Sequence, residues 1–256
     1  MDAYTPPGKQ NRRKGGIPPG PDDPSPQAME ALLAAILEDD LTQTRGLLKA
    51  NPGLATCPIA SARLYQAKIL HWIYAGDTAL HLAAAGYRVE LVQLLLASGA
   101  DPNSALNHRK SGPLHYAADG FINLPAGHAN PQVRTIQCLL EAGAEINAPD
   151  KNGATPLHRA VRTRSAAAVQ CLLTAGADAT LKNKPGSTPF HLAVQNTGRS
   201  GSGTEAAKTA QQQIILALLA AGVNPALKDG QGKSVLDWAR SPWLRNLLSG
   251  NFTEPG

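Results

Sequence analysis

Aromatic residues are scarce: Phe, Trp and Tyr make up 4% of the 256 residues. A core packed around many large rings is therefore disfavoured. The interior has to be built from Leu, Ala, Val and Ile, which suits thin, closely approaching helical layers. Cysteine is equally sparse. Three thiols cannot pair completely, and none stands in a C-x-x-C or Cys/His spacing that would hold zinc. Cys138 and Cys171, in "IQCLLEAGA" and "VQCLLTAGA", read as small buried apolar residues, and unpaired thiols favour a reducing, cytoplasmic setting. Long apolar runs are missing too, so no segment reaches the roughly eighteen residues of a spanning helix. Residues 1–27 lack the apolar stretch of a signal peptide and, being rich in Pro, Gly and charge, read as a disordered basic tail. Charged residues are only 17%, yet the balance is +5 and the pI about 9.2, which permits an acidic partner without choosing protein or nucleic acid.

What the chain does contain is self-similarity. "GDTALHLAAAGYRVELVQLLLASGADPN" (76–103) is followed by "SGPLHYAADG" and "VRTIQCLLEAGAEIN" within 111–147. Then come "GATPLHRAVRTRSAAAVQCLLTAGADAT" (153–180) and, within 186–225, "GSTPFHLAVQNTG" and "QIILALLAAGVNP". The last unit reads "GKSVLDWARSPWLRNLLSG" (232–250). Histidines recur at 81, 115, 158 and 191, with Asp237 at the next equivalent place. Thr78, Thr155 and Thr188 stand where an N-cap hydroxyl would satisfy free helix N–H groups. Pro113, Pro156 and Pro189 fit the first helical turn, where a missing N–H costs nothing. Gly99, Gly143, Gly176 and Gly222 follow the second helices, where a left-handed residue ends them.

The period near 33 and the strings "TALHLA", "TPLHRA" and "TPFHLA", each followed by L-L-x-x-G, resemble the ankyrin repeat over about residues 28–250. The resemblance implies an all-α solenoid of about six helix-turn-helix units with β-hairpin fingers. The units are a degenerate N-terminal cap (28–60), an extended finger (61–75), repeats at 76–107, 108–151, 152–184 and 185–229, a C-terminal cap (230–250) and a tail (251–256). It also implies that His81, His115, His158 and His191 are structural, each bonding its helix start and the neighbouring repeat. Recurrence at one scaffold position argues the same way, because a catalytic histidine needs one copy beside different partners. Metal binding is disfavoured, since stacked units ~10 Å apart cannot converge several imidazoles on one ion.

Function should then lie in what does not repeat. The segment "SARLYQAKILHWIYAGD" (61–77) brings Trp72 and Tyr74 to a lengthened finger, either as interface anchors or as a shield for the first helix pair. Two insertions, 119–132 and 196–211, separate the helices of their units, and the second includes Arg199 in "GRSGSGT". Arg109, Lys110, Lys151, Lys182, Lys184, Lys228 and Lys233 fall at finger positions and would form a basic edge. In the uninterrupted unit, Arg162, Thr163 and Arg164 end a first helix, where ankyrin-like proteins commonly meet partners. The leading expectation is a non-enzymatic, monomeric protein-binding scaffold with no cofactor, no metal and no catalytic residue. It would use Arg162, Thr163, Arg164, Lys151, Lys184, Arg109, Arg199, Trp72 and Tyr74 toward a protein partner. Two alternatives remain open: nucleic-acid binding along the basic edge, disfavoured because no nucleic-acid-binding signature is present, and an enzyme or ligand sensor with an anion pocket at the inserted loops.

Overall fold

The computed structural model describes residues 24–65, 69, 71–120, 129–195 and 204–249. Twelve α-helices among them follow one another in six successive twos, the first five packed as pairs: α1 (Pro26–Leu37) with α2 (Leu41–Ala50), α3 (Ala79–Ala85) with α4 (Val89–Ala97), and α5 (Pro113–Ala118) with α6 (Ala129–Glu141). The series continues with α7 (Pro156–Arg162) and α8 (Ala166–Thr174), α9 (Pro189–Ala193) and α10 (Glu205–Ala220), then α11 (Val235–Trp238) and α12 (Pro242–Leu248). First helices stack in the order α1, α3, α5, α7, α9, α11, and second helices in the order α2, α4, α6, α8, α10. The all-α solenoid expected from the repeat is what forms. It begins earlier than the composition suggests: Ser25 caps α1 and Pro26 opens it, inside the segment read as tail.

No single pair can bury its own apolar face, so the core is continuous along the stack. It runs from Leu32, Leu33 and Ile36 through Leu80, Leu91 and Leu95, then Ile136, Leu139, Leu157 and Leu172, to Phe190, Ile214 and Leu247, all nearly inaccessible to solvent. Alanines 83–85 on α3 are fully buried and let the first helices approach closely. Cys138 and Cys171 are only half-buried on the outer helices, not interior, and Cys138 Sγ accepts a long bond from Gln93.

Each first helix starts the same way. Thr78, Thr155 and Thr188 are extended N-caps, Gly112 takes that place before α5, and Pro113, Pro156 and Pro189 sit at the first helical position. The histidine at the third helical position accepts the cap backbone N–H through Nδ1: Thr78 to His81 at 3.0 Å, Gly112 to His115 at 3.2 Å, Thr155 to His158 at 3.2 Å, Thr188 to His191 at 3.4 Å. Its Nε2 donates to the carbonyl just before the next unit's cap: Ser111, Ala154, Ser187 and Lys233, each at 3.1 Å. This pattern assigns the proton to Nε2 and requires a neutral ring. The last described unit carries no histidine at this place. There Asp237 takes the inner half of the task, accepting from Ser234 N and Oγ at 2.8 Å.

Fingers link the pairs. Strands β1 (Arg63–Tyr65) and β2 (His71–Ile73) form an antiparallel hairpin in the lengthened finger, with Leu64 opposite Trp72. The other fingers are turns rather than hairpins among the described residues, with one isolated bridge between Lys228 and Ser234. Asn or Asp side chains organise these turns: Asn107, Asp150 and Asp229 each accept two backbone N–H groups from the residues that follow. Backbone bonds then join the fingers along the stack, from Lys151 N to Arg109 O (2.7 Å), Lys184 N to Asn152 O (2.8 Å) and Gly230 N to Gly186 O (3.0 Å). At the last contact the chains are so close that a Cβ on Gly186, already at φ +87°, would lie 2.4 Å from Gly230.

Neutral histidines, each held between two buried backbone groups, make the stack acid-sensitive. Burial, with the Arg159 charge second, lowers the His115 pKa from 6.5 to about 4. His81, His158 and His191 are also lowered, burial being the largest cause in each. The unfolded chain then binds more protons than the folded one below about pH 6.5, so stability is fully present above that value and is lost as pH falls toward 4. For His115 alone the full loss is about 3 kcal/mol. Thermal unfolding followed by circular dichroism should show the midpoint dropping steadily between pH 7 and pH 4.5; a flat profile over that interval would contradict the neutral ladder.

Candidate functional site

The lengthened finger lies over the inner, first-helix face of the second and third units. Ile69 packs so tightly against the end of α3 that a Cβ on Gly86 would meet its Cδ1 at 2.5 Å. His71 sits 4.7 Å from the Tyr116 ring, centroid to centroid, and its Nε2 is 3.3 Å from Asp119 Oδ2. At the outer edge, Arg63 pairs with Glu30 of α1 at 2.5 and 2.6 Å. Ile73 is buried, whereas Trp72 and Leu64 are 37% and 38% exposed on the opposite face of the hairpin. Trp72 thus lies partly exposed at the surface of the hairpin. Its ring stacks near Tyr74 at 6.4 Å, and Tyr74 in turn meets the edge of His108 at 5.0 Å.

Next to the hairpin lies a buried ionic cluster. Arg159, 2% exposed, donates to Asp119 Oδ2 (2.8 Å), Asp150 Oδ2 (3.0 Å) and Ser111 Oγ (2.9 Å). Burial alone would raise the pKa of Asp119, but the hydrogen bond from His71 and the Arg159 charge hold it below the usual carboxylate value. Burial would likewise raise that of Asp150, and the backbone N–H groups of Ala154 and Asn152 together with Arg159 hold it down. Asp77 is buried beside them, accepting from Tyr74 N (2.6 Å), Tyr116 Oη (2.7 Å) and Asn107 Nδ2 (2.7 Å). The arginine was legible as an anomaly. The residue after each repeated histidine reads Leu82, Tyr116, Arg159, Leu192 and Trp238, so the position points inward and a cation there demands buried partners.

The three residues that end α7 separate sharply. Arg162 is exposed, its side chain 56% accessible and 3.8 Å from Asp119 Oδ1. Thr163 faces inward, accepting from Gly120 N (2.7 Å) and donating to Arg159 O (2.9 Å). Arg164 is a correction. Expected at a partner surface, it holds φ +60° and donates to Ala193 O (2.9 Å) and Gln195 O (2.7 Å), closing the end of α9. Tyr87 (φ +54°) stands at the equivalent turn of the second unit and donates its hydroxyl to the Asp119 carbonyl. The units with insertions use glutamine side chains for the same task. Gln132 Nε2 donates to Ala117 O (2.9 Å), and Gln211 Nε2 to Ala193 O (2.7 Å). Both glutamines come from second helices longer than those of the uninterrupted units, so part of each insertion is helix.

Beyond the hairpin the inner face opens into a groove of about 560 Å3 between the fourth and fifth units, lined by Asn152, His158, Arg162, Asn183, Lys184 and Leu192. Lys151 and Lys184 are exposed at adjoining finger tips, and Lys110 and Lys182 are exposed nearby. None of these four lysines makes an ion pair among the described residues. Arg109 is half-buried, bonded to Tyr74 Oη at 2.8 Å with its guanidinium 5.2 Å from that ring centre. Arg199 lies outside the described residues, as do residues 121–128 and 196–203 of the two insertions. No group of three or more His, Cys, Asp or Glu is placed to hold a metal among the described residues. The helix that follows Gly203 opens on Thr204, whose hydroxyl accepts from Ala207 N, and on Glu205, an arrangement that disfavours an anion there.

Models of the ankyrin repeat match residues 75–107 and, as three consecutive copies, 126–229, together more than half of the chain. The chain belongs to the ankyrin repeat family. Among curated proteins it is 40% identical over 89 residues to alpha-latrotoxin-Lhe1a of Latrodectus hesperus, covering 34% of this chain and 6% of the toxin. It is 38% identical over 84 residues to ankyrin repeat and SOCS box protein 6 of Mus musculus, covering 33% and 18%. It is 35% identical over 89 residues to ankyrin repeat domain-containing protein 53 of Macaca fascicularis, covering 35% and 17%. The matched part is thus less than a fifth of each relative. Ankyrin repeats are a protein–protein interaction module, and no helix among the described residues is long and apolar enough to cross a membrane.

Arg159 and Arg162, one turn apart, should answer substitution oppositely. Arg159→Met leaves Asp119 and Asp150 without their shared cation and should lower stability by about 3–5 kcal/mol. Arg162→Ala should change it by no more than about 0.5 kcal/mol. Urea denaturation of the two variants checks this; equal midpoints would mean that Arg159 is not the buried hub.

Proposed function

We propose that this chain is a non-enzymatic interaction module that docks an acidic surface of another protein on its inner face, through the finger tips and the ends of the first helices. One observation carries the reading. In the finger tips and first helices of the second to fifth units (71–88, 104–120, 148–165 and 181–195) the carboxylates are Asp77, Asp119 and Asp150, and all three are engaged inside the fold. The cations Lys110, Lys151, Arg162, Lys182 and Lys184 project from the same face. The fold thus neutralises its own negative groups and presents the positive ones, an arrangement that steers and orients a negatively charged partner. Arg162, Lys151 and Lys184 are the centre of this surface. Trp72 and Tyr74 adjoin it, with Arg109 bracing Tyr74, whereas Thr163 and Arg164 support the turn behind it. The half-buried thiols Cys138 and Cys171 agree with a protein of a reducing compartment such as the cytoplasm, and we take the chain to act as a monomer.

The decisive experiment captures partners from an extract of the source cell with the wild-type chain and with Lys151→Glu/Arg162→Glu/Lys184→Glu, both checked for folding by circular dichroism. A partner retained by the wild type should lose at least tenfold in affinity with the triple variant, and its binding should weaken with salt. Equal retention by both would remove the surface from consideration.

A further inference from the structure

Along the finger tips one structural position, two residues before the left-handed residues Gly76, Lys110, Gly153 and Gly186, carries a graded chemistry. The tips read Tyr74, then His108, Lys151 and Lys184, from aromatic through imidazole to ammonium. They form one continuous ridge. Trp72 stacks near Tyr74, Tyr74 touches His108 and Arg109, Arg109 O accepts from Lys151 N, and Asn152 O accepts from Lys184 N. At the near end, Leu64 and Trp72 project together from the outer face of the hairpin. Among the described residues, three of the five exposed large hydrophobic residues, Leu64, Trp72 and Leu106, fall in the first two fingers, which sets the apolar character of that end. At the far end lies the groove with Arg162 and Lys184, beside Lys151. The hairpin fills the inner face at the second and third units, so the open path begins at Trp72 and ends in that groove.

We propose that this ridge takes an extended segment of a partner protein with a two-part chemistry. One large apolar side chain seats on Leu64, Trp72 and Tyr74, and acidic side chains reach Lys151 and then Lys184 with Arg162. The proposal rests on the interaction-module reading above and adds the form, composition and spacing of the partner. Charge complementarity selects the occupant, because the ridge offers five exposed cations and no exposed carboxylate in the ranges given. Geometry supplies the spacing. Units stack ~10 Å apart, so Lys151 and Lys184 stand roughly 20 and 30 Å beyond Tyr74. An extended chain advances ~3.3 Å per residue, which places the carboxylates about six and about nine residues from the apolar anchor.

A random library of peptides about sixteen residues long, enough to span the ridge when extended, displayed on phage and selected on the full chain, tests this directly. Enriched sequences should carry one Trp, Phe or Leu with Asp or Glu near six and nine residues to one side. Fluorescence anisotropy with a synthesised winner should show at least a tenfold loss with Trp72→Ala, and a similar loss with Lys151→Glu/Lys184→Glu. Moving the acidic pair three residues closer to the anchor should also cost about tenfold. Enrichment of acidic peptides without fixed spacing, of apolar peptides without acid, or no enrichment would each overturn the proposal. So would displacement of the winner by duplex DNA at equal charge concentration. These failures are separable from failure of the module reading. A captured partner that still depends on Lys151, Arg162 and Lys184 while no peptide is selected leaves the interaction surface in place and removes only the linear, two-part motif.

Discussion

The fold hangs on a carbonyl that each unit presents to the one before it. Ser111, Ala154, Ser187 and Lys233 each precede an N-cap, and in each case the imidazole of the preceding unit donates to that oxygen while accepting from its own cap. Helix start and unit-to-unit registry are therefore one interaction, carried by a ring whose two nitrogens are both satisfied. Loss of the ring would leave a buried donor and a buried acceptor unpaired, each more expensive than the bond was worth. Stability in such a stack is a sum of unit and neighbour terms, and here the neighbour term passes through four equivalent side chains. Asp237 shows the same logic in the last described unit, where a carboxylate caps its own helix through Ser234 N and Oγ.

A second constraint is laid over this ladder at one place. Arg159 draws together Asp119 at the end of α5, Asp150 in the next finger and, through Asp119, His71 of the hairpin. A buried cation with fewer partners would be destabilising; with Asp119, Asp150 and Ser111 around it, and His71 on Asp119, it ties the added hairpin to the scaffold. The surface electrostatics follow from the interior. Because Asp77, Asp119 and Asp150 face inward to satisfy tyrosine, arginine and backbone donors, Lys151 and Lys184 are left without an ion pair among the described residues.

Periodicity made the scaffold readable in the sequence because it repeats: the caps, the prolines, the left-handed glycines and the histidines recur at one spacing, and each has a local physical cause. The hairpin was partly readable, since "KILHWIYAG" alternates as a strand does. What periodicity could not provide was the partner of a residue that occurs once. Arg162 and Arg164, two residues apart in a run of polar side chains, look equally exposed in the sequence; only the left-handed turn at Arg164 sends its guanidinium back to the end of α9. Arg164 and Tyr87 share that turn but not their chemistry, so composition gave no sign that either was engaged. Arg159 differs, because its apolar counterparts Leu82, Tyr116 and Leu192 already marked the position as inward.

The inserted segments show why the two edges of this solenoid can vary separately. In uninterrupted units the first helix ends in a residue at positive φ, Tyr87 or Arg164, whose backbone turns directly into the second helix. An insertion removes that turn and its backbone bonds to the last carbonyls of the first helix, such as Ser165 N to Ala160 O. Gln132 and Gln211, carried on extended second helices, restore the lost bonds with side-chain amides. The exchange of a backbone turn for a side-chain cap makes the C-terminal end of a first helix tolerant of added chain, while its N-terminal end stays fixed by cap, proline and histidine. Finger tips, set by that fixed end and tied to one another by backbone bonds, keep their alignment whatever is inserted opposite. A ridge graded from Tyr74 to Lys184 can persist on such a scaffold because its geometry is independent of the edge that varies.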